Sequence, residues 1–325
     1  MSTPAEQMND HLNEELAKLA APRPQPSTSA RSAPGPASAR LTPLGMQTRP
    51  NGQSYHPRLL DDLEDLAFLR DARAHGEHVL LTGPPGTGKT ALCEAAFVSD
   101  ATARHTGLET IVGTADTEVG DFVGTWVQDP VSKAFEWAPG PLMRSVLHDV
   151  PLLVDEIAVI SPGVLTVLYP LMDGRGELHI PMNPLLPPLK VGSGWALIGA
   201  CNPDAPGARL SEALLSRFHH HVEVTTDWDL AADLGVPMGL ITLAQNLETR
   251  RLLPTPTYDG WIPQLRDALA FAESAARYGE PFAVANLMRK CPPQDRHEFS
   301  AALKKTSLKE AKPLALGARV RMVRR

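Results

Sequence analysis

Five short apolar runs punctuate the middle of the chain. They are "EHVLLTG" (77–83), "LETIVGTAD" (108–116), "VPLLVDE" (150–156), "GWALIGACN" (194–202) and "HVEVT" (221–225). Segments with apolar residues at helical spacing lie between them: "TALCEAAFVSD" (90–100), "PLMRSVLHD" (141–149), "VLTVLYPLMDG" (164–174) and "LSEALLSRF" (210–218). Strands that are apolar on both faces and alternate with helices predict a parallel sheet covered on both sides. Ahead of the first run, "RLLDDLEDLAFLRDARAHG" (58–76) predicts an amphipathic helix stopped by glycine. "GELHIPMN" (176–183) and "LPPLKVG" (186–192) read as the arms of a hairpin. Beyond Thr226 the strand pattern stops. "PMGLITLAQNLETRR" (237–251), "IPQLRDALAFAESAARYG" (262–279), "PFAVANLMRKC" (281–291) and "DRHEFSAALKK" (295–305) all carry the helical period. The expected order is an α/β domain over 58–226 and a small all-helical domain over 227–305, with no internal repeat.

Composition changes the picture at the two ends. Residues 21–57 are built from Pro, Ala, Ser, Gly and Arg with few large apolar side chains. Such a stretch cannot bury enough surface to offset its ordering entropy. Residues 1–57 are therefore expected to form a disordered leader, with a short helix at Asp10–Leu19. The segment Leu303–Arg325 carries eight Lys or Arg and one Glu. Residues 306–325 read as a basic flexible tail, with electrostatic contact to nucleic acid as the alternative use. Net charge over the whole chain is -6, which gives no global argument for a polyanionic partner. Cys93, Cys201 and Cys291 are far apart and odd in number, as expected of a reducing cytoplasm. The first residues do not read as a secretory signal, and no apolar run reaches the roughly 18 residues of a membrane span.

The chemistry begins where the first apolar run ends. Gly83-Pro84-Pro85-Gly86-Thr87-Gly88-Lys89-Thr90 has the phosphate-loop spacing of glycine, four residues, then Gly-Lys-Thr. Glycines let backbone N–H groups converge on phosphate oxygens, and the helix that follows presents its positive end. Lys89 would place a cation at the β- and γ-phosphates, and the Thr90 hydroxyl would hold Mg²⁺. Gly83, Pro84, Pro85, Gly86, Thr87, Gly88, Lys89, Thr90 and Ala91 are thus the expected nucleotide-binding residues. Asp155 and Glu156 close a buried strand, where adjacent carboxylates have no packing role. In a parallel sheet that edge is where ligands sit. Asp155 can hold Mg²⁺, and Glu156 can polarise an attacking water. Asn202 ends another strand with an amide. Arg217 closes a helix, an ordinary place for a dipole-complementing charge. His219-His220-His221 opens a strand, so only His219 and His221 share a side, and no acid or cysteine stands at chelating spacing. Trp126 and Trp137 read as packing residues of an inserted region.

Together, "GPPGTGKT" (83–90), "LLVDE" (152–156), "GACNP" (199–203) and "EALLSRF" (212–218) resemble an AAA+ ATPase of the MoxR-like, dynein-related branch. "GTADTEVGDFVGTW", "FEWAPGPLMRSVL" and "PQLRDALAFA" are also similar, and the resemblance covers roughly Tyr55 to Lys305. It implies a P-loop NTPase sheet followed by a helical lid, with ATP and Mg²⁺ as cofactors and hydrolysis as the reaction. Asn202 falls on the sensor-1 position. Arg217 falls on the arginine that reaches a neighbouring subunit's γ-phosphate. Arg266 falls on the sensor-2 arginine, with Arg250, Arg251 and Arg289 as alternatives. The segment 176–192 is similar to the hairpin before sensor 1, here rich in proline. A homo-oligomeric ring, a hexamer, is implied, with a protein client or partner, for which the von Willebrand A type is one option. The resemblance also suggests a chaperone-like remodeler or activator in the cytoplasm, without a membrane. A nucleic-acid-associated motor or restriction-type component is the other reading, and a binding scaffold without turnover a third. No Asn-Lys-x-Asp motif for guanine occurs, although a restriction-type relative in this branch uses GTP without one.

Overall fold

The computed structural model describes residues 41–102, 105–131 and 133–316. The chain divides into two compact units. One takes Lys89–Val224 together with the chain up to Gly83, and the other takes Pro84–Gly88 together with the chain from Thr225.

The first unit opens with a small antiparallel hairpin, β1 (Gln47–Thr48) and β2 (Ser54–Tyr55), and helix α1 (Asp65–Ala74). Strand β3 (Val79–Thr82) and helix α2 (Lys89–Phe97) flank the phosphate-loop sequence. Then come β4 (Glu109–Val112), a hairpin of β5 (Gly124–Gln128) and β6 (Phe135–Pro139), and α3 (Pro141–His148). After these follow β7 (Leu152–Asp155), the single turn α4 (Tyr169–Met172), and the two-residue pair β8 (Glu177–Leu178) and β9 (Leu189–Lys190). Strand β10 (Leu197–Cys201), the single turn α5 (Glu212–Leu215) and β11 (His220–Glu223) complete the unit. The main sheet has five parallel strands in the order β11-β3-β10-β7-β4.

The apolar runs form strands because both their faces are covered. Leu80, Leu152, Val154 and Leu197 enter one buried cluster with Phe122 and Leu142. Their neighbours Val79, Leu81, Leu153 and Ile198 enter another, with Phe97 of α2 and Leu69 of α1. This is the two-residue alternation of a strand, with hydrophobic residues at both phases.

The second unit is helical: α6 (Trp228–Asp233), α7 (Met238–Arg251), α8 (Leu265–Tyr278), α9 (Glu280–Lys290) and α10 (Arg296–Leu303). Its own core contains Leu240, Leu243, Leu247, Phe271, Leu287 and Phe299. Gln264 and Asp267 form a reciprocal capping box at the start of α8, and Gly279 ends it.

Several expectations need adjustment. Residues 41–57 were expected to belong to a leader without order. Within them the β1–β2 hairpin forms, Tyr55 is buried, and Arg49 pairs with Glu94 of α2 at 2.6 Å. The proposed helix at Asp10–Leu19 and the last part of the basic tail lie outside the described residues. The helix expected from Arg58 begins only at Asp65. Asp61 adopts a left-handed backbone, and Leu59–Leu60 pairs with Leu63–Glu64 instead. The helix expected over 164–174 breaks into short pieces, with Pro170 in the last. The hairpin expected over 176–192 keeps only two residue pairs, Glu177–Lys190 and Leu178–Leu189. Prolines at 181, 184, 187 and 188 remove N–H donors from the stretch between them. The β5–β6 hairpin was not foreseen. It sets Trp126 directly opposite Trp137, their rings 5.5 Å apart edge to face. No helix among the described residues is long and apolar enough to cross a membrane.

Candidate nucleotide site

All five main strands run the same way, so their C-terminal ends share one edge of the sheet. At that edge β3 leads through Gly83 toward α2, β7 ends on Asp155, and β10, between them, leads into Asn202. The sheet therefore brings three of the sequence motifs side by side.

Gly83 has φ 142° and receives a close approach. A Cβ built on it would lie 2.3 Å from the Val224 carbonyl oxygen. Only glycine fits this junction, which frees the chain to turn from strand to loop. The Lys89 ammonium donates to the Gly83 carbonyl at 2.7 Å, so the lysine folds back along its own loop. Lys89 is itself buried, at the first turn of α2. The Thr90 hydroxyl donates to Asp155 Oδ2 at 2.8 Å. This contact joins the loop motif to the acidic strand. It sets a hydroxyl oxygen and a carboxylate oxygen together, the oxygen donor set a small hard cation prefers. The residues present thus fit Mg²⁺.

Glu156 has φ 53° and ψ 36°, a left-handed backbone that is uncommon outside glycine. Its N–H donates to Asp155 Oδ1 at 3.0 Å, and its carbonyl accepts from Val159 N–H. A non-glycine residue held this way costs about 1 kcal/mol. Such outliers cluster where function requires a side chain to leave the line of its strand. Burial raises the pKa of the Cys201 thiol at the end of β10. The charge of Lys89 lowers it and that of Glu156 raises it again. The Asn202 side-chain oxygen accepts from Asp204 N–H at 3.1 Å.

Arg217 does not join this group within the unit. Its guanidinium lies over the Tyr169 ring, 4.2 Å from the centroid, and it donates to the Ala213 carbonyl. In the helical unit, the Arg266 N–H donates to the Gly86 carbonyl at 3.2 Å, and a Cβ on Gly86 would lie 2.9 Å from Arg266 Cβ. Thr87 Oγ1 donates to the Pro84 carbonyl at 3.0 Å, closing the loop tip. The alternatives to Arg266 are engaged differently. Arg250 donates to the Thr257 carbonyl and lies over Tyr258, and Arg251 donates to Gly260.

The three histidines of the run each meet another group of the protein. His219 Nδ1 accepts from His78 N–H at 3.0 Å, His220 meets Glu77 at 2.7 Å, and His221 meets the Leu215 carbonyl. No metal-binding cluster of three or more His, Cys, Asp or Glu occurs among the described residues. Sequence reasoning missed Tyr169 and Asp173, which surround Arg217. Nothing in "LYPLMDG" alone marks them.

Comparison with known proteins agrees with the geometry. The family model of the AAA domain, dynein-related subfamily, matches residues 78–218. Protein NorQ of Paracoccus denitrificans is 30% identical over 159 residues, covering 49% of this chain and 56% of NorQ. The denitrification regulatory protein NirQ of Stutzerimonas stutzeri is 32% identical over 155 residues, covering 47% of this chain and 52% of NirQ. YojN of Bacillus subtilis, an uncharacterized protein, is 30% identical over 163 residues, covering 48% and 52%. The chain thus spans about half the length of the curated relatives it matches.

Proposed function

We propose that this chain, whose residues 78–218 match the AAA domain of the dynein-related subfamily, is an AAA+ ATPase of the MoxR-like branch that hydrolyses ATP as a subunit of a Mg²⁺-dependent ring and uses the cycle to remodel or activate a partner protein. One observation carries the catalytic part: the 2.8 Å bond from Thr90 to Asp155, with Glu156 turned out of the strand immediately beyond it. A structural loop would need none of these. The activating role is supported by likeness to NirQ, named as a regulatory protein. A hexamer, a von Willebrand A-type partner and a cytoplasmic location belong to the same reading.

In this reading the loop's N–H groups and the first turn of α2 bind the phosphates. Lys89 exchanges its bond to Gly83 for the β- and γ-phosphate oxygens. Thr90 and Asp155 would hold Mg²⁺, which neutralises phosphate charge when bound. Glu156 polarises a water whose oxygen bonds to the γ-phosphorus as the bond to the β–γ bridging oxygen breaks, leaving ADP and phosphate. Asn202 orients that water or the γ-phosphate through its NH₂. Arg266, packed on Gly86, supplies a cation near the loop tip. Arg217 acts on the nucleotide of a neighbouring subunit, where such a cation is worth about 10³-fold or more in rate.

The test is the ATPase rate against protein concentration, with light scattering in parallel and with DNA added in a second series. A rate per subunit that climbs as the assembly forms and ignores DNA supports the remodeler. Turnover only with DNA would replace it with the nucleic-acid-associated reading, and the basic tail would be the first segment to delete. No turnover in any series would leave a binding scaffold.

A further inference from the structure

Arg217 stands just past α5, a single turn that cannot by itself fix a long side chain. Three contacts and one buried donor define where its guanidinium rests. The Tyr169 ring lies beneath it at 4.2 Å, Nη1 donates to Ala213, Nη2 is 3.9 Å from Asp173 Oδ2, and Nε is buried without a hydrogen-bond partner. Tyr169 is anchored in turn. Its hydroxyl lies 3.1 Å from Ser211 Oγ, which accepts from Leu214 N–H and caps α5. One tyrosine therefore supports the arginine and grips the helix that presents it. Asp173 is held by Arg175 through two bonds of 2.9 and 2.6 Å. Arg175, and to a lesser degree Arg217, holds the Asp173 carboxyl below its usual range.

These contacts differ in what they allow. Stacking on a ring face restricts an arginine's rotamers without using up its N–H donors; in Arg217, Nη1 is bonded to Ala213 and Nε is buried, which leaves Nη2 for an anion. At 3.9 Å the Asp173 contact is beyond hydrogen-bond range, and its charge is already matched by Arg175. It attracts Arg217 without capturing it. An arginine ordered in advance loses less freedom on meeting a phosphate than one free in solvent.

We propose that Tyr169 is the positioning residue for Arg217, presenting its guanidinium edge to a phosphate across a subunit interface, and that Asp173 is the internal counter-charge Arg217 leaves when that phosphate arrives. This rests on the reading of Arg217 as acting on a neighbouring subunit. The experiment measures ATPase kinetics of Tyr169→Leu, Tyr169→Phe and Asp173→Asn at concentrations where light scattering shows wild-type assembly. Tyr169→Leu should lower kcat about tenfold with KM within about twofold. Tyr169→Phe, which keeps the ring face, should recover most of that loss. Asp173→Asn should raise kcat by about two- to threefold, as Arg217 leaves a neutral neighbour more readily. An unchanged or lowered kcat there would remove Asp173 from the proposal.

Mixing distinguishes positioning from simple damage. Glu156→Gln subunits carry an intact Arg217, so mixed with Tyr169→Leu subunits they should restore hydrolysis at the latter's sites. If Arg217→Ala is rescued in such mixtures and Tyr169→Leu is not, the positioning role is wrong while the reading of Arg217 stands. If neither is rescued in demonstrated mixed assemblies, that reading itself fails. Should Tyr169→Leu not assemble, Tyr169→Met, whose unbranched chain adapts to an irregular gap without supplying a ring, is judged by the same outcomes.

Discussion

The two edges of the five-stranded sheet are made by the same strands and treated in opposite ways. At the N-terminal edge, charges are matched and rings interlock. Glu109 takes Arg144, Glu77 takes His220, Arg73 bonds the Asp149 carbonyl, and His78 packs edge to face on both Trp195 and His219. At the C-terminal edge a lysine folds back on its own loop, two adjacent carboxylates close one strand, and Glu156 keeps a left-handed backbone. In the proposed function one edge serves stability and the other chemistry. Perturbing the first should change stability with little effect on turnover per folded molecule, and perturbing the second should do the reverse.

The largest expected effect tests the C-terminal edge alone. Glu156→Gln should lower turnover about a thousandfold, while nucleotide binding persists and the melting temperature moves by about 2 °C or less. Turnover near wild type would remove Glu156 from the chemistry. Next comes a pH effect at the other edge. Burial, with His219 alongside, pushes His78 down to about 4 from 6.5, and its Nδ1 accepts from Leu197 N–H at 3.2 Å. The folded state needs this ring neutral. Above about pH 6.5 both states leave it neutral and stability is complete. Between 6.5 and 4 the unfolded chain takes a proton that the folded one refuses, so stability falls with pH by up to about 3 kcal/mol. Urea titrations at pH 7.5 and 5 check this. His78→Leu should flatten the contribution, and an unchanged slope in that variant would place the acid sensitivity elsewhere.

A smaller effect falls on stability and nucleotide binding together. Gly83→Ala meets the Val224 carbonyl at 2.3 Å, so it should cost about 2 kcal/mol and also weaken nucleotide binding. Calorimetry with a nucleotide titration would show whether both losses occur. Smallest is Glu77→Gln, which removes the half-exposed partner of His220. A pair so placed contributes under about 1 kcal/mol, and a larger loss in the urea midpoint would mean this edge is more tightly coupled than drawn.

Much of this contrast was legible in the sequence, for a physical reason. The phosphate loop and the Asp155–Glu156 pair each compress their chemistry into a few neighbouring residues, and buried strands leave long apolar runs. What could not be read depends on contacts between distant segments. Helix α1 starts late because Asp65 is drawn into a buried bond with the Tyr55 hydroxyl and also accepts from Arg58 N–H. The β5–β6 hairpin had a usable signal, an Asp129-Pro130 turn between paired tryptophans, but its strands are short and half-exposed. Arg217 stands out by its motif, whereas Tyr169 and Asp173 meet it only once the chain has folded.

The backbone at Glu156 also shapes how this protein would respond to selection. Glycine and asparagine tolerate the left-handed conformation better than glutamate does, so replacing Glu156 by either should relieve the local penalty. Each such replacement deletes the carboxylate assigned to the water. A library sorted only for heat resistance would therefore be enriched in inactive survivors at this position, and any thermostabilisation campaign should hold residue 156 fixed or screen for phosphate release as well.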